Sequence, residues 1–518
     1  MLNELDRRDG DYPRALWLAL VVALAVRLMI AWLPVQELIM RFNADDAYYY
    51  LTIARNVVAG RGVSFDGIAL TNGFHPLYLL LLLPLFWATS SAVELNVHLA
   101  LSLLAICNVL TALPLYTTVK RLWHQEAALI AAIAWLLNPW VMAITLMGVE
   151  SALYVLLMAW TLCVYMEWRS EHKISRLIAA GVLAGLTILA RTDGIFLAVA
   201  LAIDLLSARY GNEKGGWRAL MIFGSFAGIV FLPWLLWNWL TFGTVAQTSG
   251  MAILYAQYEM PPTVLLVFSS IQMFLLTLIL LMFQGSIIVL ALLITAIVLH
   301  KEKALSRGMD GERAFGRVLV IYAVLWFTFY AVYFRHRQLW YFLPMVFIAT
   351  LSIGKVYRIW QVLLPRAFGQ LRFAVLVFYG VTFVLSLWFW ESNRLAFYSA
   401  QANGYIIAQW VSANTEPQAR IGTWNAGVVG YLSTRTIVNL DGVVNNELYR
   451  YVSERRARFH LRDLRDYIIR QRISYVTDYE GLCDEATVSE ISWIAPVFEF
   501  PSRYGACQVR VYRILREQ

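Results

Sequence analysis

The sequence predicts a polytopic, all-α membrane bundle followed by a small C-terminal α/β domain, and three observations carry that fold class. Of 518 residues, 60% are hydrophobic and 15% charged, with a mean hydropathy of +0.60, whereas soluble domains carry about 25% charged residues. Apolar runs long enough to cross about 30 Å of hydrocarbon recur along residues 1–390. Past residue 391, arginines and acids become frequent and no apolar run is long enough to span.

Arg7, Arg8 and Arg14 precede an apolar run at 15–33 with no A-x-A-like cleavage site, which reads as a span and not as a removed leader. With those arginines in the cytoplasm, the run delivers residues 35–74 to the outer side of the plasma (inner) membrane as a first outward loop. In "FNADDAYYYLTIARNVVAG", Asn43 and Asp46 have the spacing of a capping arrangement, and acids favour a helix's first turn. Tyr50, Ala54, Val57 and Val58 recur at helical spacing before Gly60 and Gly62, so the segment predicts an interfacial helix along the outer leaflet. Capping explains one aspartate and leaves Asp45 and Asp46 together open to a chemical role.

Further apolar runs lie near 75–92, 97–118, 127–146, 150–168, 175–208, 218–241, 263–300, 318–334, 339–354 and 371–390. Two of these are long enough to split, giving about 11 to 13 spans. Basic residues flank the runs at Lys120, Arg121 and within 169–176, 209–218 and 300–317, and 20 tryptophans suit interfacial belts. The net charge of +8 therefore belongs to membrane flanks, and no basic, aromatic-interleaved module points to nucleic acid.

In 391–518, "ARIGTW" and "TIVNL" read as short buried strands, "LRDLRDYIIRQR" as an amphipathic helix, and "ISYVTDY" and "CQVRVYRI" as further strands. Strands alternating with helices suggest an α/β domain with its own core. In an oxidising compartment Cys483 and Cys507 either pair or stay free thiols; Cys107 and Cys163 sit in apolar runs.

Several polar residues interrupt apolar sequence. Glu150 lies in "LMGVESALYVLL", and Arg191 and Asp193 in "LARTDGIFL". A charge at mid-bilayer costs roughly 2.5–3.5 kcal/mol, so such residues face a cavity or a partner. Arg191 and Asp193 either pair as structural supports or mark a short loop between spans. Arg335, His336 and Arg337 in "YFRHRQLWYFLP" read as interfacial flanks or as a grip for phosphate. No P-loop, HExxH, G-x-S-x-G or CxxC occurs, and "GTWNAGVVG" lacks G-x-G-x-x-G and reads as a tight strand-to-helix turn. A transporter or flippase lined by Glu150, Arg191 and Asp193 is the alternative class; no inverted repeat or matched pair of broken helices supports it.

The paired acids of "ADDAYYYLTIARNVVAGRGVSF", followed by "TNGFHPLY", resemble the first loop of GT-C-type glycosyltransferases, nearest the branch with bacterial terminal arabinofuranosyltransferases. "GVESALYVLL", "LARTDG", "FGTVAQTSG" and "RHRQLWYFLP" follow in the expected order, and "IGTWNAGVVGYLSTRTIVNLDGVVN" resembles the start of the outward soluble domain. The resemblance implies transfer of a sugar from a polyprenyl phosphate to a lipid, glycan or protein acceptor, with inversion. It implies Asp45 as catalytic base with Asp46 beside it. Some members bind a divalent cation at these acids and others need none, so a metal at Asp45 and Asp46 stays open. Substrate contacts are expected from His75, Glu150, Arg335, His336, Arg337 and Trp340. Asp441, in "NLDGVVN", is expected either at a strand end facing the membrane domain or as a turn residue only. An acceptor hydroxyl must lose a proton as it attacks, and a positioned carboxylate accelerates that by about 10²–10⁴; the leaving phosphate needs cations or donors.

Overall fold

Helices dominate the chain because apolar runs in lipid must satisfy every backbone group internally. The computed structural model describes residues 12–89, 92–207, 215–258, 264–281, 310–363, 368–391, 400–478, 491–502 and 508–515. Six helices among these are long and apolar enough to cross a membrane, α1 (Arg14–Ala31) among them. A seventh candidate is the pair Gln125–Leu137 and Pro139–Leu146, bent by 48°. The bend follows from Asn138-Pro139: Asn138 Oδ1 accepts the N–H groups of Trp140 and Val141 at 2.9 and 3.2 Å, and proline suits the first helical position. Four shorter apolar helices lie at Pro76–Thr89, Ile174–Ala190, Leu266–Thr277 and Phe373–Trp388. Part of the apolar run expected at 263–300 lies outside the described residues, as do Cys483 and Cys507.

Small residues set the closest helix contacts. A methyl at Gly181 would lie 2.6 Å from Phe223 O, and one at Gly185 2.7 Å from Ala227 O, so Ile174–Ala190 packs backbone to backbone on Gly215–Phe242. Arg27 of α1 is fully buried. Its guanidinium donates to Asn108 Oδ1, Ala23 O and Leu136 O, each at 3.0 Å. Nothing local in the apolar run at 15–33 marks this arginine.

α2 (Val35–Arg41) and α3 (Asp45–Val58) follow α1, and then α4 (Pro76–Thr89) and α5 (Val93–Leu110) enter the bundle. α3, expected along the outer leaflet, is packed by the protein on more than one side. Ten of its residues are buried, because it is held between α4 and the C-terminal domain. The expected self-capping is also replaced. Ala44 is the N-cap and makes no side-chain bond, while Asn43 donates to Leu146 O at 2.7 Å and accepts from Tyr48 Oη at 2.8 Å.

The C-terminal domain carries a five-stranded sheet in the order β2-β1-β3-β5-β4, from β1 (Arg420–Thr423), β2 (Thr436–Asn439), β3 (Tyr475–Asp478), β4 (Ile494–Pro501) and β5 (Gln508–Ile514). β1 runs parallel to β2 and β3, and β5 antiparallel to β3 and β4. Four of the strands fall where the sequence expects them. β4 was not expected; its Pro496 and Pro501 are tolerated because it is an edge strand. The helix expected over "LRDLRDYIIRQR" is confined to Arg465–Arg470, preceded by turns.

Candidate active site

At the end of the bundle beside α3, a cavity of about 520 Å³ is lined by Asp46, Tyr49, Tyr50, His75, Glu150, Arg191, Asp193, Trp340 and Tyr341, with an apolar wall that includes Phe231, Trp234, Leu254 and Phe329. Both paired acids start α3, yet they face different partners. Asp45 Oδ2 accepts Gly427 N–H and Oδ1 accepts Val428 N–H, each at 2.8 Å, so its carboxylate is turned into the C-terminal domain. Asp46 lines the cavity, and among the described residues no hydrogen-bond donor reaches its carboxyl group. Burial first, then the neighbouring charges of Asp45, Glu150 and Asp441, push the Asp46 carboxyl up to about 8.

Glu150 is brought to the cavity by a turn that Gly148 permits. Gly148 has φ +82° and passes so close to α3 that a methyl there would lie 2.8 Å from Ala47 Cβ. Glu150 Oε2 accepts from Tyr50 Oη at 2.8 Å, and Oε1 accepts from Arg191 Nη1 at 2.7 Å. The Arg191 guanidinium also donates from Nε to Asp193 Oδ1 at 3.1 Å and from Nη2 to Tyr330 Oη at 3.0 Å. Tyr330 in turn donates to Asp193 Oδ2 at 2.7 Å, and the Tyr341 ring lies 4.9 Å from the guanidinium carbon. Arg191 and Asp193 thus do both things the sequence offered: they pair, and Thr192–Gly194 breaks the long run into Ile174–Ala190 and Ile195–Ser207.

His75 precedes α4 and is held by Gln247, whose amide nitrogen lies 3.2 Å from His75 Nδ1 and donates to Phe74 O at 2.7 Å. A donor at Nδ1 leaves the proton on Nε2, which faces Glu150 Oε1 at 3.7 Å. Burial, only partly offset by Glu150, holds the imidazole below its ordinary pKa and so neutral.

Asp441 stands two residues beyond β2 and faces α3 through Tyr49, whose hydroxyl approaches Asp441 Oδ2 at 3.5 Å. It is a turn residue too, since its Oδ1 accepts Val443 N–H at 2.9 Å. Burial raises its carboxyl to about 6 against the lowering effect of that bond.

The structure brings together Asp46, His75, Glu150, Arg191, Asp193 and Trp340 of the residues expected from sequence. It leaves Arg335, His336 and Arg337 outside the cavity lining; Arg335 is turned by a left-handed backbone (φ +50°), and His336 bonds to Gln338 at 3.2 Å. Arg191 is the one lysine or arginine lining the cavity among the described residues. Among those residues no three His, Cys, Asp or Glu side chains converge to hold a metal ion, and Asp45 and Glu150 are spent on N–H, O–H and guanidinium donors. Tyr330 lies outside every motif quoted from the sequence, and Tyr50, Gln247 and Tyr341 lie within quoted motifs that give them no role of their own. Only their convergence on Glu150, Arg191 and His75 marks them.

A family model described as dolichyl-phosphate-mannose-protein mannosyltransferase matches residues 75–237, and one described as a domain of unknown function matches 393–512. No curated protein matches the chain. Among solved structures, the chain is similar to ArnT from Cupriavidus metallidurans in the apo state, at 14% identity over 96% of this chain and 97% of that one, with a TM-score of 0.61. The undecaprenyl-phosphate-bound form of the same protein gives 13% identity over 96% and 98%, with a TM-score of 0.59. The archaeal oligosaccharyltransferase AglB from Archaeoglobus fulgidus, in complex with an inhibitory peptide and a dolichol-phosphate, gives 14% identity over 89% and 69%, with a TM-score of 0.51. The likeness extends over 89–96% of the chain and shows that it has the fold of these membrane proteins.

Proposed function

We propose that this protein moves a sugar from a polyprenyl-phosphate donor to a lipid, glycan or protein acceptor at the outer face of the inner membrane, with Asp46, not Asp45, as general base. The observation that carries the reading is the division of labour in α3. Asp45 spends both oxygens on backbone N–H groups, while Asp46 stands in the cavity with its oxygens unclaimed among the described residues and its proton affinity raised. A carboxylate whose oxygens each accept a strong bond is a poor proton acceptor; one poised near neutral pH is a good one.

In this reading the acceptor hydroxyl loses its proton to Asp46 as it attacks the anomeric carbon, and the polyprenyl phosphate leaves on the opposite side with inversion. The apolar wall beside Phe231, Trp234 and Leu254 suits the prenyl chain, and a solved GT-C structure bound to undecaprenyl phosphate supports that class of donor. Arg191 stabilises charge in the cavity from within its Glu150 and Asp193 pairs. Trp340 and Tyr341 offer flat faces against which a sugar ring can stack.

The test is transfer of radiolabel from a panel of polyprenyl-phosphate sugars in membranes that hold the protein and its acceptors, run with added divalent cation and with chelator. Asp46→Asn should lower turnover by at least about 10², with the melting temperature as folding control. Turnover near that of the unaltered protein would remove Asp46 from the mechanism.

A further inference from the structure

Two side chains of α3 that line no part of the cavity hold opposite ends of one short helix, Gly427–Leu432, in the C-terminal domain. At its start, Asp45 accepts the N–H groups of Gly427 and Val428. At its end, Arg55 donates from Nη1 to Tyr431 O at 2.7 Å and from Nη2 to Gly430 O at 2.9 Å, with its guanidinium carbon 5.2 Å from the Tyr431 ring centre. The first N–H and last C=O groups of a helix lack partners within it and carry opposite partial charges. The acid and the base of α3 match those signs in order, so the two helices are locked in direction as well as in contact.

Between the two grips the surfaces touch backbone to backbone. A methyl at Gly427 would strike the carbonyl oxygen of Asp45 itself. Asp46 and Tyr49, the α3 residues nearest Asp45 that line the cavity, lie in the clamped stretch, and Tyr49 Oη accepts Ala426 N–H at 3.2 Å. Gln401 of the helix Gln401–Asn414, with its amide oxygen facing α3, accepts Asp45 N–H at 2.8 Å and supplies the cap that Ala44 lacks.

We propose that Asp45 and Arg55 are positioning residues: by gripping both ends of Gly427–Leu432, they make docking of the C-terminal domain the event that fixes α3 and aims Asp46 and Tyr49 into the cavity. The proposal rests on the reading of Asp46 as base. It also sets the charge around that base, which is faced by Asp45 on its own helix, Glu150 from the turn before Ser151–Glu171, Tyr341 from the segment after Arg337, and Asp441 from the C-terminal domain.

The experiment uses the full chain in detergent and reads two things: amide hydrogen exchange over 427–431, and the pH profile of sugar transfer. In Asp45→Asn, the Gly427 and Val428 amides should exchange roughly tenfold faster, the size of a lost helix cap. Transfer should persist at a reduced kcat, with its profile moved to lower pH because Asp46 loses a neighbouring negative charge. Gly427→Ala should lower kcat to a similar extent without moving the profile, and the double variant should be no worse than the poorer single, as expected for one shared contact. Arg55→Gln frees the Gly430 and Tyr431 carbonyls and so lets that end of the helix fray, which should speed exchange of the amides over 427–431; it decides the question should Asp45→Asn fail to fold. Unchanged exchange in Asp45→Asn or in Arg55→Gln overturns the grip. Loss of transfer at every pH with normal exchange overturns it too and returns Asp45 to the role of base. If the unaltered protein transfers no sugar, the glycosyltransferase reading fails, and the exchange measurements still judge the grip by themselves.

Discussion

Replacing Arg191 by methionine isolates the energetic weight of the buried charge network. The change removes the 2.7 Å bond to Glu150, the bond at 3.1 Å to Asp193 and the bond at 3.0 Å to Tyr330, in a place where all three side chains are buried. Glu150 keeps the Tyr50 hydroxyl and Asp193 keeps the Tyr330 hydroxyl, so neither carboxylate is left bare, but among the described residues both lose the one arginine or lysine within salt-bridge reach. Deleting one member of a buried ion pair costs about 3–5 kcal/mol, most of it the desolvation of the partner left behind. At about 2 °C per kcal/mol for a large cooperative unit, the thermal midpoint of the purified protein in detergent should fall by about 6–10 °C. The triple variant Glu150→Gln, Arg191→Met, Asp193→Asn has no buried charge left to strand, and it should recover at least half of that loss. An Arg191→Met protein that melts within 1 °C of the unaltered protein would refute the argument, because it would mean that the two acids carry no charge for Arg191 to neutralise.

Three further outcomes follow from the site. With Asp46 raised from 3.8 to about 8, the base is active only when deprotonated, so kcat/KM should rise about tenfold per pH unit up to about 8 and level off above it; a flat profile between pH 6 and 8 would exclude Asp46 as base. By the same shift, Asp46 favours the folded state most below its unfolded pKa and loses that contribution as pH climbs toward 8, so the thermal midpoint of the unaltered protein should exceed that of Asp46→Leu by less at pH 8 than at pH 5. Gly73→Ala drives a methyl into the Val443 carbonyl oxygen, parting the "TNGF" segment from the C-terminal domain; it should lower transfer and the thermal midpoint together, and a normal midpoint would show that the contact yields freely.

What the sequence made legible, and what it hid, divides along range of interaction. The membrane bundle, the outlying sheet and the paired acids were readable because composition and local spacing encode them. Which of the two acids meets the cavity was not, since adjacent helix residues point about 100° apart and Asp45 is taken up by a domain some 380 positions later. The helix start was misread for the same reason. Asn43 has a capping residue's chemistry, but Leu146 O and Tyr48 Oη use its side chain up, and a glutamine from another helix does the capping. The basic cluster at 335–337 shows the limit of counting charges. Its residues are the right type for a phosphate, yet none of them lines the cavity, and the arginine that does was already visible between two apolar runs. β4 was hidden by its prolines, which only an edge position excuses.

Arg27 has a consequence for how the protein is made. Its acceptors outside its own helix turn, Asn108 and the carbonyl of Leu136, lie 81 and 109 positions further along the chain. At roughly 5–20 residues per second of synthesis, they trail the arginine by several seconds at least. Over that interval the guanidinium has one carbonyl of its own turn, Ala23 O, and an unshielded arginine in hydrocarbon costs about 2.5–3.5 kcal/mol on insertion scales. The leucines, valines and isoleucine of α1, each favouring insertion by about 0.3–0.6 kcal/mol, hold the nascent helix in place only narrowly until its partners emerge. A segment that leaves the ribosome early is thereby seated late, and the biogenesis of the bundle waits on α5 and the helix Gln125–Leu137.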